Sequence, residues 1–408
     1  MTSQLVLMNQ LAVAVASDTL TSWQSQKTSP SRSKIYELPA PAIGVVTHCG
    51  DVFLQGASWR LLIRDWSRSV TPLGAPRMAD YRDGFTHWVN QHAAGLALSD
   101  QVGVAIRLGP IERDGGHIGW LAAEMGSTNR EELLRDPIGA DEDLADVIAK
   151  ITETQFPRRP YADISEEQAQ KLISESGVDI EANFRSAMKT EDDAVVGPAT
   201  QAALLNYCVA VLRGSPNWES ATIELTFAGY GSQESLGQVS RLGIYGYWGG
   251  HLRFDTQDIG SDTPTYYSFV IPIAQRSAID GFYTGTDGFF DRAIRGAVGN
   301  AVRKLDGVDS DKVAEVVTAV QDELNDFSFR QYRGPMDVTI GSLGISNLGK
   351  FAEFLLHLQA FRSATDDGEA TVGGHIESLI ITPEHGVRWR NRLSDEIHGI
   401  EDSSHAFE

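Results

Sequence analysis

The chain opens with two short apolar runs, and their length limits what the N-terminal region can fold into. Residues 5–8 and 11–16 are almost entirely apolar, and Asn9 and Gln10 separate them. Short continuous apolar runs around a polar pair are typical of a β-hairpin whose strands are covered on both faces. The sequence therefore predicts that the chain begins inside a buried sheet.

Further strands and helices are predicted along the rest of the chain. A second strand pair is expected at 34–38 and 43–47, and later strands at 220–227, 239–247, 266–273, 376–381 and 387–390. The spacing of apolar residues predicts helices at 57–66, 84–98, 311–324 and 348–361. Strands at both ends, without alternation of strand and helix behind a glycine fingerprint, favour the α+β class over a doubly wound sheet.

The stretch 99–217 differs in character from its surroundings, with charge-rich turns and a helix start at Ser165. Ser165 and Gln168 have the spacing of a capping box. We interpret this stretch as an inserted helical subdomain. The main domain is then discontinuous, formed by 2–98 and 218–392, and 393–408 is an acidic tail.

The composition disfavours several classes of protein. The chain has 55 acidic and 34 basic residues and a formal net charge of −21, which disfavours binding to nucleic acid or to an anionic membrane. The two cysteines, Cys49 and Cys208, provide no disulfide framework and no CxxC metal pair. Because the sequence has neither an apolar stretch of membrane-spanning length nor a signal-peptide pattern, we expect a cytoplasmic protein without membrane contact.

The N-terminal residues carry a chemical pattern. A threonine hydroxyl becomes a nucleophile when its own α-amino group acts as the base, which requires that threonine to be first in the mature chain. Thr2 is expected to meet this condition once Met1 is removed. Asp18 ends one predicted strand and Lys34 opens another, so two strands flanking the N-terminal strand are expected to bring both beside Thr2. The lysine poises the hydroxyl for deprotonation, and the aspartate keeps the lysine charged and oriented.

The segments Thr2, Ala16-Ser17-Asp18 and Lys34-Ile35 resemble the N-terminus of proteasome β-type subunits. That family carries a nucleophilic threonine, an aspartate and a lysine at the same separations. The resemblance implies an N-terminal-nucleophile (Ntn) hydrolase with an αββα sandwich, in which two antiparallel sheets lie between helical layers. It places Ser22 at a substrate-binding position, whereas Leu20 stands where the family usually has an arginine.

Residues 44–50 extend the resemblance. They are similar to the family's strand and glycine turn, where a backbone N–H forms the oxyanion hole, a donor for the charge that develops on the attacked carbonyl. Counting from Lys34 places this donor at His48, and the motif places it at Gly50. We prefer Gly50.

A glycine-rich segment near the C-terminus resembles another motif of the family, with changes. Within residues 369–374, Glu369 stands for an aspartate that supports the amine of the nucleophile. Val372 replaces the serine of that motif. No serine aligns with the one that normally contacts the amine, and Gln275 or Ser277 are poor substitutes. The usual hydrogen-bond network around the nucleophile is therefore altered.

Other candidate sites find little support in the sequence. His87 and His92 have the wrong spacing for two ligands on one helical face, so no metal is expected. No phosphate-binding glycine loop is present either, and we expect no cofactor. The glycine-rich segments 246–250 and 281–288 are interpreted as turns or sites of close strand packing, and Cys49 as a buried structural thiol.

The sequence thus predicts a proteasome-like threonine peptidase or amide hydrolase. Its substrate is expected to be a peptide or another amide, and its assembly a homo-oligomer or a complex with partner subunits. Two alternatives stay open. One is a catalytically inactive Ntn-fold subunit that serves as a scaffold, which Val372 and the missing serine favour. The other is an amidase that acts on a small molecule.

Overall fold

The computed structural model describes residues 2–23, 27–29, 33–70, 74–108, 117–118, 121, 139–155, 161, 163–188, 196–214, 223–260, 268–305, 310–365 and 372–393. Two five-stranded antiparallel sheets form its centre, and helices surround them. This mixture confirms the α+β class.

The first sheet combines strands from the start, the middle and the end of the chain. Its strands are β1 (Ser3–Asn9), β2 (Val13–Asp18), β12 (Ser268–Ala274), β13 (Ile376–Thr382) and β14 (Gly386–Asn391), in the order β12-β1-β2-β13-β14. The predicted N-terminal hairpin is confirmed, with Val6 opposite Val15. Asn9 fixes its turn, because Oδ1 accepts hydrogen bonds from the amides of Leu11 and Ala12 at 3.0 and 3.2 Å.

The second sheet contains the second predicted strand pair. Its strands are β5 (Ile35–Glu37), β6 (Ile43–Gly50), β9 (Ile223–Tyr230), β10 (Gln238–Trp248) and β11 (His251–Ile259), in the order β11-β10-β9-β6-β5. The segment 246–250 ends in the predicted turn, where Gly249 and Gly250 both have positive φ. The sequence pattern does not predict β11, because residues 256–258 are polar and exposed.

Two short strand pairs and a set of helices complete the described fold. The short pairs are β3 (Thr21–Trp23) with β4 (Lys27–Ser29), and β7 (Phe53–Leu54) with β8 (Ala57–Ser58). The helices are α1 (Trp59–Ser67), α2 (Met78–His92), α3 (Asp100–Leu108), α4 (Gly139–Gln155), α5 (Glu166–Ser176), α6 (Ile180–Met188), α7 (Pro198–Arg213), α8 (Ser277–Thr284), α9 (Gly288–Arg303), α10 (Ser310–Ser328), α11 (Gly334–Ser342) and α12 (Ile345–Thr365), with a π-helical turn at Phe329–Arg333.

The helix predictions are confirmed for α1, α10 and α12, although α1 begins at Trp59 rather than at 57, and the prediction for α2 needs correction. Helix α2 begins at Met78 rather than at 84 and ends at His92, because its buried face already starts with Met78 and Tyr81. The prediction of a turn across 281–288 is wrong for its first half, which belongs to α8. A turn follows there, with Gly285 in the left-handed conformation.

Side-chain alternation along β1 explains the order of the layers. Val6 and Met8 lie in the core between the two sheets, whereas Leu5 and Leu7 lie in a core shared with α8, α11 and α12. On the far face of the second sheet, Phe227 packs against Trp66 of α1 and Phe85 of α2. The layers therefore follow the order helices, sheet, sheet, helices.

Helices α3 to α7 surround a core of their own. This core contains Tyr207 of α7 and Trp248 of β10. The predicted capping box of α5 is confirmed, since the Gln168 amide donates to Ser165 Oγ at 3.1 Å and the Ser165 amide to Gln168 Oε1 at 2.7 Å. The domain boundaries near residues 98 and 218 stay predictions. Within the described residues, no helix combines the length and the apolar content that a bilayer crossing requires.

Candidate active site

Thr2 lies immediately before β1, and neighbouring main-chain groups hold it in place. The amide of Gln275 donates to the carbonyl oxygen of Thr2 at 3.0 Å. Ser3 Oγ donates to the carbonyl oxygen of Gln275 at 2.7 Å, so β12 fixes the start of β1 from one side. Thr2 is 9% exposed. The predicted nucleophile therefore has an anchored backbone at the end of a buried strand.

Asp18 ends β2 beside the first residues of β1. The register that sets Gln4 opposite Ser17 brings Asp18 next to Ser3. The Ser3 amide donates to Asp18 Oδ1 at 3.0 Å, and the Gly373 amide donates to Oδ2 at 3.3 Å. Asp18 is completely buried. Burying a carboxylate is costly unless it is hydrogen-bonded, and these amides supply part of what it needs.

Lys34 reaches the same carboxylate from the second sheet. Its Nζ donates to Asp18 Oδ1 at 2.8 Å and to the carbonyl oxygen of Leu20 at 2.7 Å. One carboxylate oxygen thus joins the lysine ammonium to the amide that follows Thr2. The prediction that flanking strands supply both groups is correct for Asp18 and wrong for Lys34. The strands on either side of β1 are β2 and β12, so Lys34 does not lie on a strand next to β1. Its long side chain reaches Asp18 from the facing sheet instead.

Burial controls the protonation of this pair. It raises the pKa of the Asp18 carboxyl, against the opposing effect of Lys34. It also lowers the pKa of the Lys34 ammonium, against the opposing effect of Asp18. Both shifts reduce the free-energy difference between the charged pair and the neutral pair.

The end of β6 closes the site on the side of the second sheet. Gln4 Nε2 donates to the carbonyl oxygen of His48 at 2.7 Å, and the His48 amide donates to the carbonyl oxygen of Lys34 at 3.2 Å. Since the His48 N–H is already engaged, it is a poor choice as oxyanion donor. Gly50 is the last residue of β6 and has a φ of 91°, which favours glycine. The oxyanion role of Gly50 stays a prediction.

Two titratable side chains at the end of β6 are uncharged at neutral pH. Burial lowers the pKa of His48 to about 4, and the positive charge of Lys34 adds to that effect. The His48 Nδ1 atom lies 3.5 Å from the hydroxyl of Tyr36. Burial also raises the pKa of Cys49, which keeps it a thiol. This protonation state agrees with a structural role for Cys49.

Of three other residues from the sequence pattern, the structure describes the backbone of Ser22 and the whole of Val372. Ser22 lies in β3 opposite Thr28, and its side chain is outside the described residues. Glu369 is also outside the described residues, so its role stays a prediction. Val372 is buried, and its amide donates to Ser363 Oγ at 3.3 Å. The hydroxyl that the resemblance expects at position 372 is therefore replaced by an apolar side chain.

Glu377 is a buried acid of this region that the sequence pattern did not indicate. It is 0% exposed, lies in β13 opposite Ser17, and its Oε1 accepts a hydrogen bond from the Leu393 amide at 3.1 Å. Its negative charge favours the charged form of Lys34 and raises the pKa of that lysine. A carboxylate inside the predicted strand 376–381 was the available signal, because Glu is almost never fully buried without a partner.

Comparisons with known proteins find likeness in structure but not in sequence. No protein-family model and no curated protein matches the chain. Among solved structures, Anbu (ancestral beta-subunit) from Yersinia bercovieri is similar over 98% of this chain and 92% of its own, with 10% sequence identity and a TM-score of 0.29. A likeness at this level does not assign the chain to a family. Within the described residues, no group of three or more His, Cys, Asp or Glu side chains is placed to hold a metal ion.

Proposed function

We propose that this chain is an amide hydrolase of the N-terminal-nucleophile type, with Thr2 as nucleophile after removal of Met1. The observation that carries the proposal is the shared oxygen of Asp18, which binds both Lys34 Nζ and the amide next to Thr2. This contact holds a buried lysine of lowered pKa beside the proposed N-terminus. The four-layer order of helices and sheets supports the finer assignment to an Ntn-type αββα sandwich.

In the proposed reaction, the free α-amine of Thr2 takes the proton of the Thr2 hydroxyl as the oxygen attacks an amide carbonyl. Lys34 stabilises the developing charge on the hydroxyl oxygen, and a backbone N–H near Gly50 stabilises the carbonyl oxyanion. The amine then passes its proton to the leaving nitrogen, so that the C–N bond breaks and an ester remains on Thr2. Water attacks this ester while the amine again accepts a proton, and the amine returns that proton to the Thr2 oxygen as the ester C–O bond breaks and the carboxylic acid leaves.

A second candidate function is that of an inactive scaffold subunit. Val372 favours it, because a valine cannot donate the hydrogen bond that the resemblance assigns to a serine there. The missing serine near Gln275 favours it as well, because the resemblance assigns a serine there that contacts the amine of the nucleophile. Asp18 and Lys34 oppose it, because a scaffold has no need to retain a buried ion pair at this place.

The test combines intact-mass measurement with covalent labelling. We expect the purified chain to lack Met1, and a peptide epoxyketone, which reacts with an adjacent amine and hydroxyl, to add once at Thr2. Thr2→Ala should abolish the adduct, and Thr2→Ser should retain it. A chain that keeps Met1, or a processed chain that no electrophile labels, would favour the scaffold. Labelling by a small amide-like electrophile but not by peptides would point to a small-molecule amidase.

A further inference from the structure

The helical hairpin formed by α9 and α10 has few buried side chains. Helix α9 has 16 residues, of which Gly299 is the buried one, and within 312–328 of α10 the buried residue is Val313. The two helices pack against each other. Helices of this length are marginal in water on their own, since most helical stability comes from burying an apolar face. The rest of the chain therefore leaves much of the surface of this hairpin uncovered.

Aromatic side chains are exposed at one end of this hairpin. Phe289 and Phe290 begin α9 and are 72% and 56% exposed, and Phe327 near the end of α10 is 53% exposed. Ser328 Oγ donates to the carbonyl oxygen of Thr284 at 2.5 Å, so the end of α10 lies next to the turn that leads into α9. Grouped exposed apolar side chains mark interaction surfaces in soluble proteins.

The two helices of the hairpin carry opposite charge. The exposed basic side chains of α9 and of the residue that follows it are Arg292, Arg295, Arg303 and Lys304. The exposed acidic side chains of α10 are Glu315, Asp322, Glu323 and Asp326. Asp291 on α9 and Lys312 on α10 are the exceptions. A twofold rotation that sets α9 of one copy on α10 of another matches opposite charges in both contacts.

We propose that the α9–α10 hairpin is a self-association surface, on which two copies of this chain pair about a twofold axis. The pairing covers the exposed aromatic side chains and places the basic helix of each copy on the acidic helix of the other. The net charge of −21 opposes association of two copies through most other faces. The local match of charge on the hairpin thus selects the face that pairs. This surface is independent of the proposed hydrolysis at Thr2.

The test uses two charge-reversed variants of the full chain. The first variant makes α9 acidic through Arg292→Glu, Arg295→Glu, Arg303→Glu and Lys304→Glu. The second makes α10 basic through Glu315→Lys, Asp322→Lys, Glu323→Lys and Asp326→Lys. We expect the wild-type chain to sediment as a dimer or larger assembly and each variant alone to dissociate, with Kd raised about 100-fold or more by like-charge contacts. An equimolar mixture of the two variants should assemble again, because opposite charges then face each other in both contacts.

Far-UV circular dichroism shows whether the variants keep their helices. A third variant, Phe289→Ser with Phe290→Ser, leaves the charges unchanged and should also weaken assembly. Leu61→Ser, which changes an exposed apolar residue on α1, is the matched control and should leave assembly intact. A monomeric wild-type chain, variants that assemble like wild type, or folded variants whose mixture stays dissociated would each overturn the proposal.

Discussion

Nζ of Lys34 lies 2.8 Å from Oδ1 of Asp18, although Asp18 ends a strand of one sheet and Lys34 immediately precedes a strand of the facing sheet. Both side chains are almost completely buried, so water contributes little to their solvation. The same oxygen of Asp18 accepts the amide hydrogen of Ser3. The contact therefore links the two sheets at the point where the proposed nucleophile enters the first of them.

Replacing Lys34 by methionine should destabilise the fold strongly. The change removes the cation from a buried carboxylate, and breaking such a pair typically costs about 3–5 kcal/mol. Asp18→Asn in the same background should recover part of this loss, since it removes the unpaired charge. Urea unfolding measures each variant. Lys350→Met, on an exposed position of α12, is the control, and an equal effect of the two lysine substitutions would contradict the prediction.

Replacing Glu377 by glutamine should change the pH dependence of Thr2 labelling. Glu377 raises the pKa of Lys34, so its loss lowers that pKa and moves the alkaline limb of the labelling rate to lower pH. Asp18, His48 and Cys49 also face Lys34 and are unchanged in this variant. The readout is the rate of adduct formation across a pH series.

Two controls accompany the Glu377 variant. Glu377→Asp keeps the negative charge and should keep the alkaline limb near its wild-type position. Glu384→Gln removes the same charge from an exposed position in the turn between β13 and β14 and should leave the profile unchanged. If wild type and Glu377→Gln share one profile while both label, Glu377 has no influence on Lys34.

His48 should make stability fall on acidification. Its pKa is lowered to about 4 in the folded chain from 6.5, so its contribution is fully present above pH 6.5 and is lost as pH falls towards 4. Between pH 7.5 and pH 4.5 the loss should amount to about 2–3 kcal/mol. The free energy of unfolding of wild type minus that of His48→Gln isolates this term from the carboxylates. A difference that does not change with pH would refute the prediction.

The capping box of α5 should contribute to stability without affecting Thr2. Ser165→Ala removes the acceptor of the Gln168 amide and should cost about 1 kcal/mol. Thermal unfolding measures this loss, and Ser174→Ala within the same helix is the matched control. Labelling of Thr2 by the epoxyketone should proceed at the wild-type rate. A loss of labelling at a temperature where the variant is folded would mean that α5 acts on the site.

Local sequence patterns predicted much of the first sheet. The N-terminal hairpin follows from two apolar runs around Asn9, whose side chain then fixes the turn. Helices α10 and α12 follow from apolar spacing. The sequence does not predict strand β11, because its residues 256–258 are polar and exposed. The hydrogen-bonded ladder with β10 stabilises β11 as a strand.

The candidate site also combines a contact that the local sequence predicts with contacts that only the tertiary structure sets. The sequence alone brought Asp18 beside the start of β1, because the register of one short hairpin sets that contact. Tertiary structure decided the rest: that Lys34 comes from the facing sheet, that Gly373 donates to Asp18, and that Glu377 lies buried nearby. Packing of two sheets brings together residues that are hundreds of positions apart. A local strand or helix pattern does not predict which of these distant residues come into contact, because the contacts depend on how the two sheets pack.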